Sequence, residues 1–128
     1  MRWIPGLVPL LCLTSACGAI GPNPLGPQII SARVQCEMTD YEVEAVVTDP
    51  NGVEDVRFGV VEFVWADSGG YIDEHVLEGD VGEPGRWALE LDSNDTAEWC
   101  SDAMDAVFHF HDAAGNHTWR RVPVLPWI

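Results

Sequence analysis

Lysine is absent from this sequence, and its only strong cations are six arginines set against 21 acidic residues, for a formal net charge of −15. A surface so short of positive charge excludes nucleic acid and anionic lipid headgroups as natural partners. It leaves cationic ligands and divalent metals open, and it also serves plain solubility. Long amphipathic helical patterns are missing too, as is any apolar run near the roughly 20 residues that a membrane helix needs. There is no Gly-x-Ser-x-Gly elbow, no zinc-protease helix and no Gly-rich phosphate loop, and Ser68 and Ser101 fall in expected loops without a base beside them. These absences point to a non-enzymatic binding or spacer module. A chain of 128 residues has room for one domain, and 47% apolar residues suffice for a packed core.

The first residues differ from the rest. Met1-Arg2 is a short positive start, and Trp3 to Leu13 is an apolar run without a charge, interrupted by Pro5 and Pro9. That pairing predicts the n-region and h-region of a secretory signal peptide rather than a core helix. Leu13-Thr14-Ser15-Ala16-Cys17 follows, small residues leading into a cysteine, and it resembles the lipobox of bacterial lipoproteins. It departs from the usual pattern in having Thr14 where Leu is commonest. The resemblance implies cleavage before Cys17, a diacylglycerol on its thiol and a membrane anchor. With Gly18 after the cysteine instead of Asp, it also implies the outer membrane of a Gram-negative cell. Ordinary cleavage after Ala16 is the alternative, and both readings place the mature chain outside the cytoplasm. The expected organisation is a leader over 1–16, a lipidated Cys17 with a Gly/Pro-rich tether over 17–27, and one domain over 28–128.

From Gln28 onward apolar residues recur at short intervals between turn signals, which predicts an all-β class. Strands are expected at Ile30 to Met38, Tyr41 to Thr48, Asp55 to Trp65, Tyr71 to Leu77, around Trp87, Leu89 and Leu91, at Met104 to His111, and at His117 to Val124. In the third, Val56, Phe58 and Val60 share one phase and Val61, Phe63 and Trp65 the other, so a β-bulge is expected beside Gly59. The sixth is the clearest: Met104, Ala106, Phe108 and Phe110 alternate with Asp105, Val107, His109 and His111.

Val47-Thr48-Asp49-Pro50-Asn51-Gly52-Val53 and Phe110-His111-Asp112-Ala113-Ala114-Gly115-Asn116 resemble the two turn signatures of bacterial immunoglobulin-like (Ig-like) domains. The resemblance implies a seven-stranded antiparallel Ig-like β-sandwich, found in surface adhesins and multidomain secreted proteins, with no particular activity attached. Lettering the strands A to G puts the B-C and F-G turns at one pole and the A-B and E-F connections at the other. Of four cysteines, Cys12 leaves with the leader and Cys17 is consumed by lipid. Cys36 and Cys100 remain, both near the second pole. Their disulfide would close a long loop worth about 4 kcal/mol in the chain-entropy model. Two unpaired buried thiols are the other reading.

Two constellations could carry chemistry. Asp49, Asn51, Glu54 and Asp55 from one turn and Asp112 and Asn116 from the other offer hard oxygens suited to calcium, although Asp and Asn also serve tight turns for their own hydrogen bonds. His109 and His111, about 7 Å apart on one strand face, with His117 on the next strand, could share zinc, or they could be the polar side of a wet face. Trp99 is either a contact residue at the second pole or a seal for the sandwich end. The partner expected from all this is a protein or surface polymer of the cell envelope, and no cofactor is required.

Overall fold

The computed structural model of the protein describes residues 25–36, 40–92 and 103–125. The leader, Cys17, the tether as far as Pro24, Trp99 and Cys100 lie outside the described residues. Among the described residues there are eight strands: β1 Gln28–Cys36, β2 Asp40–Thr48, β3 Val56–Trp65, β4 Tyr71–Val76, β5 Glu78–Gly79, β6 Arg86–Asp92, β7 Met104–Asp112 and β8 His117–Leu125. Their order is β4-β3-β7-β8-β1-β2-β6-β5. Neighbours pair antiparallel except β8 and β1, which run parallel and whose ladder pairs Val34 with Val124 and Gln35 with Leu125. The result is two antiparallel layers, β4-β3-β7-β8 and β1-β2-β6-β5, joined at that short parallel seam. This is the all-β class that the strand spacing predicts and the Ig-like sandwich that the turn resemblance implies, with a two-residue β5 beyond the expected seven.

The core lies between the layers and follows from period-two alternation. Val34, Val43, Ala45 and Val47 enter from one layer, and Val61, Phe63, Met104, Ala106, Phe108 and Phe110 from the other, all within 2% of full burial. Trp87 and Leu89 pack against this cluster, the Trp87 indole meeting Phe110 edge-on at 5.7 Å.

Three local expectations need correction. The bulge in β3 falls at Arg57, where the register against β7 slips between Val56 and Phe58, and not at Gly59. Phe58 therefore points out of the core and is 43% exposed. Gly59 points inward and makes room for an aromatic ring: a Cβ there would sit 2.6 Å from Phe110 Cε1. Trp65, placed inward by the alternation, is 41% exposed at the strand end. Leu77 does not continue β4 but is the residue at which the chain changes layers. It is buried, its N–H donates to the Gly59 carbonyl at 2.8 Å, and β4 pairs with β3 before it while β5 pairs with β6 after it. Cys36 is buried at the end of β1.

Candidate functional site

The two Asx-containing turns meet as expected. Within the β2–β3 turn, Asn51 N–H donates to Asp49 Oδ1 at 2.9 Å, Gly52 N–H donates to the Asp49 carbonyl at 2.9 Å, and Gly52 adopts φ 102°. Within the β7–β8 turn, Asp112 Oδ1 accepts from Ala114 N–H and Asn116 N–H at 3.0 and 2.8 Å, and its Oδ2 accepts from Asn116 Nδ2 at 3.0 Å. Ala113 N–H donates to the Asp55 carbonyl at 2.9 Å and fastens one turn to the other.

Carboxylate oxygens of Asp49, Asp55 and Asp112 consequently lie within 4.8 Å of one another. Asp49 is buried and its Oδ2 accepts no hydrogen bond. Burial, followed by the charges of Asp112 and Asp55, raises its pKa, whereas the Asn116 side chain and the turn N–H groups lower that of Asp112. Of the expected calcium set, the three acids converge. Asn51 is exposed on the turn, and the Asn116 side-chain amide is engaged with Asp112 and with the Leu25 carbonyl. With both Asp112 oxygens serving their own turn, the oxygens left for a cation are chiefly Asp49 Oδ2 and Asp55. The three groups form a brace between turns at least as much as a binding cup.

The histidines also converge, on the outer face of β7 and β8. Because Phe108 and Phe110 point into the core, His109 and His111 point out, and the register sets His117 opposite His111. The His111 and His117 rings stack at 4.5 Å and 9°, and those of His109 and His117 at 5.2 Å and 20°. His109 Nδ1 lies 3.0 Å from His117 Nε2, and His109 Nε2 lies 3.2 Å from Glu62 Oε1. Burial first, then the neighbouring His111 and His109, lowers the His117 pKa, which favours the neutral ring. The depression beside these rings is lined by Glu62, Val64, Val107, His109, His117 and Trp119. Glu62 is the member that sequence reasoning missed. It stands 47 positions before His109 and arrives only through the β3–β7 pairing.

No protein-family model matches the chain, and no curated protein gives a significant match. Among solved structures the chain is similar to CopC from Methylosinus trichosporium OB3b, with a TM-score of 0.51 and 13% identity over 78% of this chain and 94% of that one. It also aligns with murine CRIg at a TM-score of 0.42 and 12% identity, over 80% of this chain and 98% of that one. At such identities the likeness to CopC speaks for the fold alone, and the fold to which it speaks is the Ig-like β-sandwich described above.

Proposed function

We propose that this chain is a non-enzymatic recognition module of the cell envelope, exported by its leader and held by lipid at Cys17 in the outer membrane. In this reading it engages a protein or surface polymer through the pole formed by the β2–β3 and β7–β8 turns. The supporting observation is the fastening of those turns to each other by the hydrogen bond from Ala113 N–H to the Asp55 carbonyl, beside a β7–β8 turn that the saturated Asp112 carboxylate holds rigid from within. A surface ordered before binding loses little entropy on association, and loops on a rigid scaffold are a common way to recognise partners. Pro50, Asn51 and Glu54 stand exposed on one turn, and Ala113, Ala114 and Gly115 on the other.

The tether enters at this same pole, since Leu25 accepts from Asn116 and Gln28 pairs with Thr48. A Gly/Pro-rich segment from Cys17 to Pro24 reaches about 25–30 Å when extended, comparable to the length of a nine-residue strand. That reach lets the pole clear the membrane that anchors it. A Cys36–Cys100 bridge would clamp the far end, and a non-reducing peptide map should recover the two cysteines in linked fragments.

The test is binding of the mature protein to envelope fractions, comparing wild type with Asn51→Arg/Glu54→Arg. Both positions are exposed, so the fold should survive, whereas substituting Asn116 would unlatch the turn. We expect the double variant to bind at least tenfold more weakly. Undiminished binding, or no binding by wild type, would move the role away from this pole, and a Trp99→Ala protein would then test the other one.

A further inference from the structure

The alternation of β7 commits one strand to two tasks. From Met104 to Phe110 its inward residues belong to the core, so whatever its outward residues do must be done on the sheet face, away from the loops of the proposed recognition pole. Three imidazoles, with His117 in ring contact with both His109 and His111, are an uncomfortable arrangement if they are charged, because like charges at such separations repel. Neutral rings, by contrast, bring lone pairs together, and lone pairs on converging imidazoles are what a borderline metal ion takes as ligands.

The hydrogen-bond chain fixes which atoms those are. A carboxylate can only accept, so the 3.2 Å contact from Glu62 Oε1 requires the proton of His109 to sit on Nε2. The His109 Nδ1 lone pair is thereby aimed at His117 Nε2, 3.0 Å away. Two nitrogens bound to one tetrahedral zinc at about 2.0–2.1 Å are separated by about 3.3 Å. The two nitrogens face each other almost in line, so each ring has to turn by about 35° for the lone pairs to converge on one tetrahedral ion, the gap has to open by a few tenths of an ångström, and the His117 proton has to move from Nε2 to Nδ1. A carboxylate holding the far nitrogen of a ligating imidazole is a recurrent outer partner of protein-bound metals. His111 backs His117 face to face, and its Nδ1 is buried without a hydrogen bond.

We propose that His109 Nδ1 and His117 Nε2 bind a divalent first-row transition ion of the zinc, nickel or copper class on the outer face of β7–β8, with Glu62 as the residue that positions His109 and His111 as the ring that positions His117. The calcium class does not suit this site, because its one carboxylate is already engaged and its remaining donors are nitrogens. The His109 side chain is 26% exposed, so water or a further ligand completes the coordination and the ion is exchangeable.

The test is a titration of the mature chain with zinc chloride alone, followed by calorimetry and by ¹⁵N-imidazole NMR. One equivalent should bind, with the metal-induced shift on Nδ1 of His109 and Nε2 of His117. His109→Ala and His117→Ala should each weaken binding at least 100-fold. Glu62→Leu should weaken it about 10–100-fold and abolish the Nε2–H tautomer of His109, and Glu62→Gln, which keeps an accepting oxygen, should restore most of the affinity. Melting curves in EDTA establish that each variant is folded, and His117→Phe, which keeps the stack, replaces any that is not. An unchanged affinity in either alanine variant, a shift on the opposite ring nitrogens, binding abolished by Asp49→Asn, or weak non-stoichiometric uptake would overturn the site.

Discussion

Gly59 stands against the rings of Phe110 and Trp87, where an added Cβ would come within 2.6 and 3.3 Å of them. Its place between two apolar phases suggests a bulge, but the requirement is steric, because Phe110 occupies the volume that any side chain would need. Gly59→Ala should therefore overpack the core and cost about 1–3 kcal/mol, measured as a lower denaturant midpoint with an unchanged slope. A neutral or stabilising effect would mean that the Phe110 ring moves aside freely. Glu62 is the opposite case, an ordinary outward residue in sequence whose partner is specified by register. The His109, His111 and His117 grouping was legible because two of its members share a strand phase and the third begins the next strand.

The turns and strands were legible to different degrees. In β7 the inward residues Met104, Ala106, Phe108 and Phe110 are apolar, with buried Asp112 ending the phase at the turn, and all of the outward residues but Val107 are polar, so its pattern survives. In β3, Val60, Val61, Phe63 and Val64 are all buried, which blurs the alternation and hides the slip at Arg57. The layer change at Leu77 leaves no local signal, since it depends on which strand each neighbour pairs with. The Asx turns were read from residue type alone, and the structure adds that their acids face one another. This makes a pH prediction. The raised pKa of Asp49 means that its contribution is fully present below the ordinary carboxylate value of 3.8 and is lost as pH rises through the higher folded value. Asp49→Asn keeps an oxygen for Asn51 N–H and removes the titration, so it should melt above wild type at pH 7, with the difference vanishing toward pH 3. The lowered pKa of Asp112 has the opposite sign: its contribution is present above 3.8 and is lost as pH falls through the folded value. Should Asp49→Asn melt below wild type at pH 7 in calcium-containing buffer, the three carboxylates would be a cation site and not a brace.

For the whole molecule, the charge of −15 and the absence of lysine constrain partners more than fold, and the all-β class follows from strand spacing with its turn chemistry. In the proposed function a rigid acidic sandwich tethered at Cys17 would present its β2–β3 and β7–β8 turns to an envelope partner, leaving the histidine face separate. Hydrogen–deuterium exchange of the mature protein on wild-type envelope membranes addresses that claim most directly. We predict added protection at residues 51–55 and 113–116, with the amides of β7 and β8 beneath the histidines unchanged. Protection confined to the histidine face or the opposite pole, or no protection anywhere, would contradict it.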